Sequence, residues 1–98
     1  MIKIKGISVY PEDIENKIKY NLPMKDVVIF DSLDIRNEKN LHVVCSKENK
    51  INKNTLINFC IKNFSNHQIP RYYHFLDQVP KNKLGKIDRK LVKQKIIL

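Results

Sequence analysis

Lys86 follows Gly85 in a polar loop, Lys81-Asn82-Lys83-Leu84-Gly85-Lys86, which comes directly after Pro80. Gly85 is one of only two glycines in the chain. It permits backbone geometry that other residues avoid and leaves room beside the lysine. A lysine on such a loop can reach outward as a single cation. Phosphoryl and acyl-phosphate chemistry builds negative charge in its transition state, and a cation delivered there stabilises it electrostatically. On spacing alone, a flexible basic loop with no role fits as well.

The other reactive side chains form no familiar set. Cys60, His67 and His74 are seven residues apart, and His42 and Cys45 would face opposite sides of one strand. Neither Cys-x2-Cys nor His-x3-His spacing occurs, so a metal site is not expected. No Ser-His-Asp arrangement and no glycine-rich phosphate loop is visible, which argues against an independent hydrolase or kinase. Cys60 lies on an apolar helical stripe and reads as core filler.

The elements that must position Lys86 follow from periodicity. Residues 2–10 alternate and break at Gly6, which predicts a β-hairpin. Pro11-Glu12-Asp13 opens a helix, with proline at the first position and acids at the positive end. Asn21 and Pro23 end it. Val27-Val28-Ile29-Phe30 and 41–45 read as an antiparallel strand pair. Asn52 or Asn54 can cap a second helix whose apolar stripe is Leu56, Ile57, Cys60, Ile61 and Phe64. Residues 72–79 read as a third main strand, with Tyr73, Phe75 and Val79 on one side. After the loop, Asp88 caps a short helix carrying Leu91, Val92 and Ile96. The expected fold is α+β, a small mixed β-sheet of about three main strands plus an N-terminal β-hairpin, flanked by helices.

Composition bounds the rest. The chain has 98 residues, 42% of them hydrophobic and 30% charged, enough for one domain with a modest core. Lys and Arg number 19 against 10 acidic residues, a net charge of +9. Much of that excess lies after residue 80, a surface that attracts anions: phosphates, nucleotides, nucleic acid or an acidic partner. Alternation of strand burial explains Tyr72, Tyr73 and Phe75 better than a stacking surface for nucleic acid does. No 18-residue apolar run occurs, the N-terminus is too charged for a signal peptide, and two cysteines make no disulfide framework. A reduced, cytoplasmic protein without a membrane segment is the expectation.

Pro80-Lys81-Asn82-Lys83-Leu84-Gly85-Lys86-Ile87-Asp88-Arg89 resembles the terminal motif of the adenylate-forming superfamily: acyl-CoA synthetases, adenylation domains of nonribosomal peptide synthetases, and luciferases. The stretch from Met1 to Glu15, with Gly6-Ile7-Ser8-Val9-Tyr10-Pro11-Glu12 at its centre, is similar to the other motif of the family's C-terminal domain. Lys25-Asp26-Val27-Val28 and Ile69-Pro70-Arg71 match in order and spacing. Asn82 stands where the family often has Thr, and Leu84 where it often has Ser or Asn. These departures change loop contacts and leave the reactive group in place.

The resemblance implies that residues 1–98 form a single C-terminal lid domain of an AMP-forming acid–thiol ligase, inactive alone. The large N-terminal domain, which holds ATP, Mg2+ and the acid, lies outside this chain and would be its partner in cis or in trans. Lys86 would be the catalytic lysine of acyl-adenylate formation, with Gly85 and Pro80 supporting its loop. The lid would then rotate, and the hairpin residues Lys5, Gly6 and Ile7 would face the thiol of coenzyme A or of a carrier protein's phosphopantetheine. Arg71, Arg89 and Lys90 are the candidate phosphate contacts. A different class of function, a stand-alone binding module that docks a carrier protein or a partner ligase, fits the same sequence. Nucleic acid is the weakest of the partners.

Overall fold

Alternating apolar residues build the N-terminus as the sequence predicts. In the computed structural model, which describes residues 1–47 and 51–97, Ile2–Ile4 (β1) pairs antiparallel with Ile7–Val9 (β2). The connection is the two residues Lys5 and Gly6, with φ of 50° and 81°. Two consecutive positive φ values give a turn whose twist suits a hairpin. Helix α1 (Pro11–Asn21) follows, with Pro11 in its first turn beside Glu12 and Asp13.

Strands β3 (Val27–Leu33) and β4 (Lys39–Ser46) pair antiparallel from Val27↔Cys45 to Leu33↔Lys39. Asp34 closes their turn by accepting the backbone N–H groups of Arg36 and Glu38. Helix α2 (Lys53–Asn63) starts at Asn52, whose side chain accepts the N–H of Thr55 at 2.8 Å. A single 3-10 turn at Asn66–Gln68 leads into β5 (Tyr72–Leu76), which runs parallel to β4. The sheet order is β3-β4-β5. Helix α3 (Arg89–Ile97) ends the described chain, and Asp88 caps it by accepting the N–H groups of Lys90 and Leu91. The fold is therefore α+β, with one mixed three-stranded sheet, a separate hairpin and three helices among the described residues.

Side chains alternate across the sheet, and each face has its own core. On one face Val27, Ile29, Leu41, Val43 and Cys45 pack with Ile14, Ile18, Leu56, Cys60 and the hairpin residues Ile2, Ile4 and Val9. On the other, Val28, Phe30 and Val44 pack with Val79 and Val92. Strand β4 is central and covered on both sides, which is why Leu41 to Cys45 reads as a nearly unbroken apolar run.

Two expectations need correction. The third strand stops at Leu76, and Val79 packs in the second core, opposite Tyr73 and Phe75. Residues 77–79 leave the sheet, so the period-two rule no longer assigns Val79 a face. On α2, Ile61 is 59% exposed, and Phe59 packs against the core in its place. The chosen stripe was wider than the arc of the helix that the sheet covers. Among the described residues no helix is long and apolar enough to cross a membrane.

Candidate functional site

The lysine loop is a small closed structure. Lys81 and Ile87 form an antiparallel bridge at its neck. Inside it, the Asn82 side-chain oxygen accepts the N–H of Leu84 at 2.9 Å and that of Lys86 at 3.1 Å. The Asn82 N–H donates to the Lys86 carbonyl at 2.8 Å, and the Gly85 N–H to the Asn82 carbonyl at 3.0 Å. Gly85 has φ of 79°, a conformation that costs other residues about 1–2 kcal/mol. The Lys86 side chain is exposed and has no ion pair among the described residues. Pro80 is half-buried and delivers the chain from Val79, anchored in the second core, to the loop's neck.

The hairpin turn makes a different kind of site. Lys5 and Ile7 line a cavity of about 570 Å³ together with Ile4, Leu41, Ile69, Arg71, Lys39 and His67. Its floor is apolar, since Ile4 and Leu41 are buried. Its rim carries Lys5, Lys39 and Arg71, none of them ion-paired among the described residues, against one acid, Glu38. The Arg71 guanidinium lies over the Tyr72 ring at 5.8 Å. Gly6 sits beside Lys5 at the turn, where an added Cβ would meet nothing within 4 Å. Such a cavity suits an anion attached to an uncharged body.

A polar clamp ties the two motifs together. Arg89, the first residue of α3, donates to Glu12 at 3.1 Å and to both oxygens of Glu15 at 2.9 Å. It also donates from Nε to the carbonyl of Ile29 at 2.9 Å, and the N–H of Ile29 donates to Glu15 at 2.7 Å. Ile29 lies on β3, an edge strand of the sheet. The Glu15–Arg89 pair therefore satisfies the edge at Ile29, where a fourth strand would otherwise pair. Glu12 is more than a helix-end charge, as it holds one arm of this arginine.

A chain of polar contacts also crosses the second sheet face. Ser32 Oγ lies 2.6 Å from His42 Nε2, and His42 Nδ1 lies 2.9 Å from His74 Nε2. His42 is stacked between Phe30 and Tyr72. Burial, aided by His74 and Lys93, lowers its pKa from 6.5 to about 4. A histidine so weakly basic is a poor general base at neutral pH. It reads as a satisfied polar seam. Cys45 and Cys60 are buried, and burial raises their pKa values to about 12 and 11, so neither is a ready thiolate. Among the described residues no group of three or more His, Cys, Asp or Glu could hold a metal ion.

The structure thus brings Lys5, Ile7 and Arg71 to one cavity and places Lys86, Gly85 and Pro80 elsewhere, on the loop and its approach. Arg89 sits in the clamp. Lys90 lies exposed on α3, beside Lys93, Gln94 and Ile97. Sequence reasoning missed Asn82 as the loop's organiser, although an Asn followed two residues later by a free N–H is a known turn signal. It also missed Glu15 as Arg89's partner and Lys39 and His67 as cavity residues. Sequence separation hides both.

With this geometry in hand, the chain can be placed among known proteins. No family model matches it. It is 24% identical over 98 residues to a long-chain-fatty-acid–CoA ligase of Haemophilus influenzae, covering 99% of this chain and 17% of that protein. It is 30% identical over 91 residues to a fatty acid–[acyl-carrier-protein] ligase of Streptomyces coeruleorubidus, covering 91% of this chain and 18% of that one. Its fold matches part of a fatty acyl CoA synthetase structure from Mycobacterium tuberculosis with a TM-score of 0.80 at 21% identity, covering 97% of this chain and 19% of the other. The chain is similar to a small part of these ligases, and its size and fold are consistent with a C-terminal domain of such enzymes. It spans less than a fifth of the length of the relatives it matches.

Proposed function

We propose that this chain is the lid of an AMP-forming acyl- or aryl-CoA synthetase-like ligase, with Lys86 as its catalytic residue. The observation that carries the reading is the loop: the backbone of Lys86 is held at both N–H and C=O, while its side chain is exposed and has no ion pair among the described residues. That is how a fold presents one cation to a site on another body. Docked over the large domain, Lys86 would place its charge beside the oxygens of the carboxylate and phosphate, where negative charge accumulates as the acyl-adenylate forms. Bound Mg2+ and ATP supply the leaving group and its charge neutralisation. In this reading the ligands of the metal belong to the large domain.

After a rotation of the lid, the hairpin would face the site instead. Gly6 leaves open space at the turn, and the Lys5–Arg71–Lys39 rim beside it fits the phosphates of coenzyme A or phosphopantetheine. Arg71, stacked on Tyr72, and Lys90 have no ion pair among the described residues and could make phosphate contacts. Arg89 would have to leave Glu12 or Glu15 to make one, so its first role in this reading is to hold α3 and the loop in place.

The test is ATP–pyrophosphate exchange with a panel of carboxylic acids, measured for the chain alone, the large domain alone, and both together in cis or in trans. The reading predicts an inert chain, a weak large domain and restored exchange on combination. No stimulation on combination would contradict it and favour a non-enzymatic docking module.

A further inference from the structure

We propose that Asn82 is the positioning residue for Lys86, a proposal that rests on the reading of Lys86 as the catalytic lysine. The loop carries two lysines, Lys83 and Lys86, that composition cannot tell apart. The structure separates them. Lys83 is exposed and has no hydrogen bond or ion pair among the described residues. Lys86 is held to Asn82 twice, its N–H by the side-chain oxygen and its carbonyl by the Asn82 N–H. The same side-chain oxygen holds Leu84, and the Asn82 carbonyl holds Gly85 in its left-handed conformation. One residue thus fixes three of the four that follow it.

The physical consequence is preorganisation. A lysine whose backbone wanders must be ordered each time the lid closes, and that ordering opposes the reaction. Asn82 fixes the Cα of Lys86 before closure and leaves only side-chain torsions free. Its short side chain is essential, because the carbonyl oxygen must reach N–H groups two and four residues ahead, as in an Asx turn. A glutamine, one methylene longer, has the same amide in the wrong place. An aspartate has an acceptor in the right place.

The test has two arms. In the chain alone, amide hydrogen exchange at Leu84 and Lys86 is compared for Asn82→Ala, Asn82→Gln and Asn82→Asp, with Val44 and Val92 reporting that the fold is intact. Faster exchange at both loop amides in the Ala and Gln variants, retained protection in the Asp variant and unchanged core amides are expected. Unchanged loop exchange in Asn82→Ala would overturn the proposal. In the ligase with its large domain, Asn82→Ala should slow single-turnover acyl-adenylate formation by roughly ten-fold, the ordering cost of about one residue, with the ATP KM and the thioester step little changed. If Lys86→Ala slows adenylation but Asn82→Ala does not, Asn82 does not position the lysine. If Lys86→Ala has no effect, the catalytic reading itself fails.

Discussion

The hairpin turn and the lysine loop both contain a glycine with positive φ, yet they build opposite surfaces. At the hairpin, Lys5 and Gly6 turn the chain in two residues, and the side chains around them close a cavity with an apolar floor and a cationic rim. In the loop, Asn82 gathers the backbone inward and holds that of Lys86, whose side chain is exposed. In the proposed reading the first is a wall that receives and the second a probe that is inserted. A lid serving two half-reactions, as proposed, would need both, and the Glu12–Glu15–Arg89 clamp joins the helix after the hairpin to the helix after the loop. Rotating the domain as one body would exchange one for the other.

The comparison can be broken at either side. The largest effect is expected at the loop: Lys86→Ala should lower acyl-adenylate formation by about 10²–10³, the usual loss when a preorganised charge is removed. In the chain alone it should shift stability by no more than about 0.5 kcal/mol, since the side chain is exposed. Next comes the clamp. Arg89→Ala leaves Glu15, which is 8% exposed, without its cation and frees the Ile29 carbonyl at the sheet edge. A loss of about 1–3 kcal/mol is expected in urea unfolding, less than for a fully buried pair because the arginine is part-exposed. A loss below about 0.5 kcal/mol would show that the two motifs are not coupled through it.

The polar seam gives a pH signature unrelated to either motif. His42 stays neutral in the folded chain down to about pH 4, whereas an unfolded histidine takes up its proton near pH 6.5. Between those values the unfolded state binds more protons, so stability should be full above about pH 6.5 and fall as pH drops toward 4, by at most about 3 kcal/mol from this residue. His74, lowered in the same direction by burial, should add to the slope. Unfolding midpoints equal at pH 7 and pH 5 would show that the seam is not buried neutral. The smallest effect is expected at the turn. Gly6→Leu meets open space, so its folding cost should be only the roughly 1–2 kcal/mol of a left-handed leucine. Its functional cost should fall on thioester formation and spare adenylation.

Much of this was legible in the sequence because the signals are local. Alternation at residues 2–9, Pro11 at a helix start, Asn52 and Asp88 as caps and the apolar run of β4 each need only a few neighbouring residues. What was not legible depends on contacts across the chain. Arg89 and Glu15 are 74 positions apart, and nothing in the sequence says that an arginine after the loop will finish the edge of β3. The cavity is assembled from the hairpin, the start of β4 and the segment before β5, so Lys39 and His67 carry no local mark. Val79 failed for a related reason: alternation is a property of strands, and the chain leaves the sheet after Leu76.

The most direct test of the account is single-turnover kinetics of the two half-reactions for Lys86→Ala and Lys83→Ala in the ligase with its large domain. Both lysines are exposed, and both variants remove one positive charge from the same loop. The account predicts that Lys86→Ala slows acyl-adenylate formation by about 10²–10³ and leaves thioester formation from a supplied acyl-adenylate nearly unchanged, while Lys83→Ala alters neither by more than about three-fold. Equal losses from the two variants, or equal losses in the two half-reactions for Lys86→Ala, would contradict it and leave the loop as a basic surface.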